Sequence, residues 1–543
     1  MSDALRLEAL YGDRLVPCYA ERPRNLDAML RAAVAARGEA PAIEDGERTL
    51  SYQQLDRLAD RIASGLAAQQ VKAGDRVALF VGNRAEFVVL LAGLWRLGAI
   101  AVPIGVRQSA PELAYMLNQC GASALVFDAA LADRLPPREE IAEVHCRVCI
   151  EEPGHPSVGL TYTGLLAGGN DAPVAADFAD TQPACIMYTS GTTGHPKGAV
   201  LSHLGFFHTA RHYLRRFGYT ADDRLLLTIP GSHISGLLAV IVVALQVGGC
   251  LVLQRQFNAG ETLALIEARR VSAAVMVPAM YNLCLLHPEL PRRDLSCWRI
   301  GHFGGAAMPE VTIARLAEAL PGLALYNGFG STETTSAVTL TERGDAARHP
   351  DTVGTVVPCV DIRVLDAEGR EVAVGASGEL WIRSPGNAIG YWANAEATRA
   401  SFVAGYWRSG DIGSVDAEGF VRVFDRLKDM INRGGFKVYC VELENVIQRH
   451  PGVIEVAAVA SPCPVLGERI HVFVHATEAI DTEAVRALCR RMLADYKTPD
   501  FVTVSVMPLP RNLNGKLVKA PLRAQAREAA VQRHATPSSE RSA

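Results

Sequence analysis

The chain has 543 residues, 49% of them hydrophobic and 21% charged, with a net charge of -4 and a pI near 6.4. That length allows about three or four folding units, and the balance is that of a globular chain with its own core. Near-neutral charge leaves no electrostatic footprint for nucleic acid or an anionic membrane.

Met1-Ser2-Asp3-Ala4 lacks a basic run followed by an apolar one, so no secretory leader is expected. Residues 49–76 read as a turn and then an amphipathic helix, with Leu55, Leu58, Ile62 and Leu66 at helical spacing. A strand at 76–81, a helix at 85–98 ending on glycine and a strand at 99–103 follow. Cys146-Arg147-Val148-Cys149 is a lone C-x-x-C with strand-like flanks and no second pair, so it reads as buried thiols, not a zinc site. The twelve cysteines are scattered, which fits a reducing, cytoplasmic setting. Further strands are expected at 124–127, 186–188, 273–277 and 300–303. Residues 234–253 are nearly all apolar and long enough to raise the question of a membrane span. Gln246, Gly248 and Gly249 interrupt them, so a buried helix followed by a buried strand is predicted, and no span. This alternation predicts an α/β fold with largely parallel sheets.

After about residue 355 the texture changes. Short strands at 361–365, 378–383 and 420–424, separated by turns such as Glu368-Gly369 and Glu418-Gly419, predict a β subdomain. The charged stretch Asp425-Arg426-Leu427-Lys428-Asp429 marks a domain boundary. Beyond it a helix at 441–449, strands at 456–460 and 470–474 and a helix at 482–496 form a smaller α+β unit. The expected division is 1–425, a hinge at 426–428, a small domain at 429–523 and a frayed tail at 524–543, where core residues thin out. The ending Arg541-Ser542-Ala543 is not a peroxisomal tripeptide.

The densest chemical signal is Tyr188-Thr189-Ser190-Gly191-Thr192-Thr193-Gly194-His195-Pro196-Lys197-Gly198, which follows a short apolar strand. Glycines let successive amides point into one concavity that suits phosphate oxygens. The hydroxyls of Thr189, Ser190, Thr192 and Thr193 add donors, and Lys197 adds positive charge. It is not a Walker loop, because His195-Pro196 separates Gly194 from Lys197.

This string resembles the phosphate loop of the adenylate-forming superfamily, which contains acyl-CoA synthetases, luciferases and peptide-synthetase adenylation domains. Other segments resemble that family in the expected order, over about residues 25–522. Asn327-Gly328-Phe329-Gly330-Ser331-Thr332-Glu333 is similar to its aromatic-Gly-x-Thr-Glu motif, with Phe329 where tyrosine is usual. The resemblance implies that Phe329 packs on adenine, Thr332 meets phosphate and Glu333 helps hold Mg²⁺; a hard cation bridging phosphates wants an anionic oxygen. Gly304, Gly305 and Ala306 fall in the nucleotide-binding stretch by the same resemblance. Tyr406-Trp407-Arg408-Ser409-Gly410-Asp411 resembles the motif whose carboxylate, here Asp411, accepts from both ribose hydroxyls. Arg426 would contact ribose or phosphate, and Lys428 would be the pivot of a mobile small domain. Arg433-Gly434-Gly435-Phe436 resembles the loop that lines a coenzyme A channel, and the glycines permit close backbone approach. Pro510-Arg511-Asn512-Leu513-Asn514-Gly515-Lys516 resembles the loop carrying the catalytic lysine, Lys516.

The implied architecture is a large N-terminal domain of two mostly parallel αβ-sheet subdomains plus a β subdomain, followed by the small domain. The implied reaction joins a monocarboxylic acid to ATP as an acyl adenylate and then to coenzyme A. His233 matches the gate near the acyl carbon, and Val277, Met280, His302 and Thr335 fall in the implied acyl pocket. His302 and Thr335 are the candidates for binding a hydroxyl of the acid. The pocket stretches 233–238, 277–281, 302–306 and 329–338 hold no Arg or Lys, which disfavours a second carboxylate. Two alternatives stand beside this reading: transfer of the acyl group to a carrier-protein thiol, and a binding protein without catalysis. A homodimer is left open.

Overall fold

The computed structural model describes the chain except for residues 1–3, 157–158, 173–177, 190–195, 307, 428, 435, 477, 512–516 and 536–543, and except for the side chains of 533–535. Contacts gather the chain into two compact units. The first is residues 1–305, 314–362 and 381–408; the second is residues 306–313, 363–380 and 409–543.

Two sheets organise the first unit. One orders Lys197–Ser202, Pro183–Thr189, Ile100–Pro103, Arg76–Phe80, Ala124–Asp128, Cys146–Ile150 and Leu160–Thr161. It is parallel throughout except for the hairpin Pro183–Thr189/Lys197–Ser202 at its edge. The other runs Thr355–Val356, Ser336–Leu340, Ala324–Ser331, Ile300–Gly304, Ala273–Met276, Arg224–Leu227, Cys250–Leu253, Pro41–Asp45 and Arg48–Ser51, with a parallel centre and antiparallel ends. Parallel strands covered on both faces must be apolar on both, and that is why their sequences read as short continuous runs.

The helix Tyr52–Ala68 starts at a capping box made by Ser51 and Gln54, which satisfies two orphan amides at once. The next helix, Ala85–Leu97, is buried along its whole length and stops at Gly98, which takes φ 74°. Its side chains share one apolar core with residues of both sheets. Arg96 is buried within it and pairs with Asp27, Asp56 and Asp60 at 2.9, 2.5 and 2.9 Å, so the charge does not go unpaired. The apolar run at 234–253 folds as a helical stretch with a π turn at Leu237–Val242, ends at Gly248 and continues as the strand Cys250–Leu253. No helix among the described residues is long and apolar enough to cross a membrane. Cys146 and Cys149 lie buried in one strand, and all twelve cysteines are free thiols.

A smaller sheet orders Asp361–Leu365, Gly378–Arg383 and Tyr406–Val415, and Val421–Arg426 pairs antiparallel with the last of these. In the second unit Val453–Cys463, Gly467–Ala476, Ile431–Arg433 and Phe436–Val438 form a sheet, with Phe501–Ser505 parallel to Gly467–Ala476. The helices Cys440–Ile447 and Thr482–Met492 share one core with this sheet. The helix Lys519–Ala535 packs through Leu522 and Ala526 against Ala457, Val459 and Phe473. This corrects the expected frayed tail from residue 524: the segment is helical to 535. Its buried face is made mainly of alanines, which carry little hydrophobic signal but fit a close helix–sheet approach.

Candidate active site

The edge hairpin of the first sheet presents the phosphate-type loop. Thr189 and Lys197 face each other as the last pair of its ladder. Ser190, Gly191, Thr192, Thr193, Gly194 and His195 lie outside the described residues. Tyr188 anchors the base through its hydroxyl, which donates to Gln119 Oε1 at 2.6 Å.

A second segment zips along this hairpin. Trp392 N donates to Gly198 O, Val200 N to Gly390 O and Ile389 N to Val200 O, at 2.7, 2.9 and 2.9 Å. This path sets Tyr391 beside Lys197, whose ammonium lies 5.2 Å from the centre of the ring, within cation–π range. The Tyr391 hydroxyl donates to Glu333 Oε1 at 3.0 Å. Burial and the neighbouring Glu333 raise the Tyr391 pKa, so the phenol keeps its proton and stays a donor. Sequence reasoning missed this residue; its only signal was the Gly390-Tyr391-Trp392 string, which carries no partner information.

Glu333 is buried, and hydroxyls surround its carboxylate. Oε1 accepts from Tyr391 and, at 3.4 Å, from Thr189 Oγ1; Oε2 accepts from Ser331 Oγ at 2.6 Å. It sits in the tight turn Thr332–Thr334, after which Thr335 and Ser336 take φ 51° and 90°. Two consecutive non-glycine residues at positive φ are strained and need surrounding structure to hold them. Gly330 makes the reversal feasible, since a Cβ there would come within 1.9 Å of Ser336 O.

Phe329 is half-buried against Val338, Ile382 and Trp407. Asn327 N donates to Thr341 Oγ1 at 2.7 Å, and its Nδ2 donates to Thr352 O at 3.2 Å. Gly304 and Gly328 are register partners on adjacent parallel strands. Gly305 has φ 74°, and Gly305 and Ala306 are exposed. His233 caps a helix start, its Nδ1 accepting from Ser235 N at 3.5 Å. The preceding turn is fixed by Asn83, whose Oδ1 accepts from Gly231 N at 2.8 Å. Val277 precedes the helix Pro278–Leu285, which carries Met280; both are half-buried.

Thr335 and His302 differ in a way the sequence did not reveal. The Thr335 hydroxyl donates to Gly386 O at 2.6 Å and the residue is 1% exposed, so it is committed within the fold. Its one donor is thus engaged, which leaves the oxygen lone pairs as its remaining hydrogen-bonding capacity. Neither ring nitrogen of buried His302 has a hydrogen-bond partner, and burial pushes its pKa down to about 3.

In the second unit Asp411 and Arg426 face each other on adjacent strands and pair at 3.2 Å. Asp425 Oδ2 accepts from Cys440 N at 2.8 Å, which ties the hinge-like stretch to a helix start. Lys428 lies outside the described residues. Arg433 forms a two-point pair with Asp500 at 3.2 and 3.0 Å. Gly434 takes φ 60°, and Phe436 is exposed with its ring stacked on Tyr496 at 4.7 Å. Gly435 and Lys516 lie outside the described residues. The flanks of the loop that carries Lys516 are joined by a bridge between Arg511 and Leu517 and by Val518 N donating to Pro510 O at 2.8 Å.

Residues 30–392 match the model of the AMP-binding enzyme family, and residues 442–516 match that of the AMP-binding enzyme C-terminal domain. The chain is 35% identical over 514 residues to long-chain-fatty-acid–CoA ligase FadD13 of Mycobacterium tuberculosis, covering 92% of this chain and 98% of that one. It is 34% identical to indoleacetate–CoA ligase of Aromatoleum aromaticum, covering 89% and 94%. Among solved structures, the anthranilate CoA ligase AuaEII in complex with anthranoyl-AMP superimposes with a TM-score of 0.87 at 26% identity, covering 93% and 98%.

Proposed function

The chain belongs to the AMP-binding enzyme family, and from that premise we propose that it is an acyl-CoA ligase acting through an acyl adenylate. The observation that carries this reading is the cluster of Thr189, Lys197, Glu333 and Tyr391 at the base of the phosphate-type loop.

The chemistry follows from the charges involved. A carboxylate is a poor acyl donor because its oxygen leaves badly. Attack of the substrate carboxylate on the α-phosphate of ATP forms an acyl adenylate and releases pyrophosphate. AMP is then a good leaving group for a thiol. The α-phosphate gathers negative charge between two anions, so electrostatic preorganisation carries most of the rate. Thr189, Lys197 and the loop amides are assigned to the departing phosphates, and Lys516 to the α-phosphate. Phe329 is assigned to adenine, Asp411 to the ribose hydroxyls and Arg426 to ribose or phosphate. His233 would shield the acyl carbon, and the Arg433–Phe436 loop would receive the pantetheine arm about a hinge at Lys428.

Among the described residues no group of three or more His, Cys, Asp or Glu side chains is placed to hold a metal. Mg²⁺ does not need one, because it binds through one or two carboxylates while phosphates and water complete its shell. The Glu333 carboxylate, oriented by three hydroxyls, fits that donor set. When bound with ATP, Mg²⁺ supplies positive charge at the phosphate oxygens. Twelve free cysteines support a reducing cytoplasmic location.

The test is a panel of monocarboxylic acids scored for pyrophosphate release and for AMP release with and without CoA. The proposal requires both products, with AMP release dependent on CoA. AMP release that needs a carrier-protein thiol instead would favour the carrier reading, and no pyrophosphate with any acid would reject both.

A further inference from the structure

Glu455 lies near the start of the strand Val453–Cys463. Its register partner is His475, whereas Val453 pairs with Ala476, so Ile454 is an extra residue between them. A bulge of this kind re-aims the side chain beside it. Every second side chain of a strand shares a face, so Glu455 stands on the face of Ala457 and Val459. Those two residues and Phe473 pack against Leu509, Leu522 and Ala526. Glu455 therefore sits on the surface that receives the chain on both sides of Lys516.

Its carboxylate meets the entry side of the lysine loop twice. Oε2 accepts from Leu509 N at 3.4 Å, and Oε1 pairs with the guanidinium of Arg511. His475 Nδ1 is 3.6 Å from Oε2, beyond hydrogen-bond range. The side chains of Glu455 and Arg511 are 18% and 30% exposed, so water screens this charge-assisted contact only in part. The exit side is held differently. Leu517 packs against the same apolar cluster and bridges Arg511, and Val518 N donates to Pro510 O at 2.8 Å. Lys516 immediately precedes Leu517 in the chain. The backbone position of Arg511 is thus passed through the bridge to the neighbour of Lys516. A charge-stabilising group misplaced by about 1 Å can cost a hundredfold in rate.

Resting on the acyl-CoA ligase reading and on the assignment of Lys516 to the α-phosphate, we propose that Glu455 is a positioning residue for adenylation. It fixes Leu509 and Arg511 so that the loop delivers Lys516 to the charge developing on the α-phosphate. It acts through Lys516 and is not itself assigned to a substrate. The contact matters in the half-reaction that uses Lys516 and not in transfer of the acyl group to CoA. A pair that served stability alone would act through the folded fraction and would burden both half-reactions alike.

The test uses the full chain and whichever of hexanoate, decanoate, benzoate and phenylacetate the wild type turns over fastest. ATP–pyrophosphate exchange reads the first half-reaction. AMP release from the preformed acyl adenylate on adding CoA reads the second, and a thermal melt reads folding. Glu455→Gln keeps the size and removes the charge. Its kcat for exchange should fall about tenfold or more, while the KM for ATP and the transfer rate stay within about twofold. Glu455→Asp should recover part of the exchange rate. Equal losses in the two half-reactions, or an unchanged exchange rate in Glu455→Gln, would overturn the proposal. If Glu455→Gln does not fold, Arg511→Lys decides, because it keeps the charge and loses the planar fork. The same one-sided loss supports the proposal, and an even loss or none rejects it. Lys516→Ala separates the levels. If it cripples exchange and Glu455→Gln does not, this inference fails alone; if exchange survives Lys516→Ala, or no acid supports exchange in the wild type, the reading beneath fails and takes this one with it.

Discussion

Tyr391 donates its phenol proton to Glu333 Oε1 at 3.0 Å while the face of its ring lies 5.2 Å from the Lys197 ammonium. One side chain thus orients a carboxylate and steadies a cation through two different kinds of contact. Tyr391 is itself held by its backbone N–H, which donates to Thr398 Oγ1 at 2.9 Å.

Tyr391→Phe removes the hydrogen bond and keeps the ring. A hydrogen bond to a charged group contributes about 1.5–3 kcal/mol, so kcat/KM for MgATP should fall roughly tenfold or more. The KM for the acid should hardly move. Tyr391→Leu should also weaken ATP binding, measured by calorimetry with Mg²⁺ and with EDTA. Identical ATP binding and Mg²⁺ dependence in all three proteins would show that the contact is structural only.

Gly330→Ala should be severely disruptive. The new Cβ would meet the Ser336 carbonyl at 1.9 Å, and backbone on both sides leaves no flexible side chain to yield. A loss of about 4 kcal/mol or more is expected, in the range reserved for named steric failures. Urea unfolding of the soluble variant measures it, and a shift below about 1 kcal/mol would contradict the tight reversal described here.

Lys516→Ala addresses the catalytic lysine implied by the family resemblance. Pyrophosphate exchange should fall by about a hundredfold or more, the scale of removing one preorganised charge-stabilising group. Transfer from a preformed acyl adenylate to CoA should fall much less. Equal losses in the two half-reactions would count against a role confined to the first.

Acid sensitivity should track buried histidines. Burial lowers the pKa of His203 to about 3, of His208 to about 4 and of His302 to about 3, and lowers that of His212 further. Each takes up a proton near pH 6.5 in the unfolded chain but not in the native one. Their stabilisation is therefore full above about pH 6.5 and is lost as pH falls toward the native values, at about 1.4 kcal/mol per pH unit for each histidine. The window from pH 6.5 to 5 lies above the usual carboxylate range, but burial raises Asp60, Asp128 and Asp425, so single-histidine variants assign the slope. Unfolding midpoints that stay level from pH 8 to 5 would contradict this, and His302→Leu should reduce the slope by about one proton.

Much of the fold was legible in the sequence because it was written locally. Leu55, Leu58, Ile62 and Leu66 mark a helical face, and the helix is there at Tyr52–Ala68. Gly98 and Gly248 mark helix ends, and both take positive φ. The closing helix Lys519–Ala535 was not legible, because alanine says little about burial until a sheet face is set beside it.

By itself the sequence offered a phosphate-type cradle, because consecutive glycines, hydroxyls and a lysine can be read in order, and ATP followed from the resemblance of that string and others to one enzyme family. It could not determine what Tyr391, Thr335 and His302 do. Tyr391 meets Glu333 across 58 residues of chain, and Thr335 meets Gly386 across 51. Those pairings exist only once the segment at 386–392 has run beside the loop hairpin and the strained turn. The tertiary path decides which polar groups find partners. It engages the Thr335 hydroxyl and leaves the nitrogens of His302 without a partner, because hydrogen bonding depends on distance in space and not on separation along the chain.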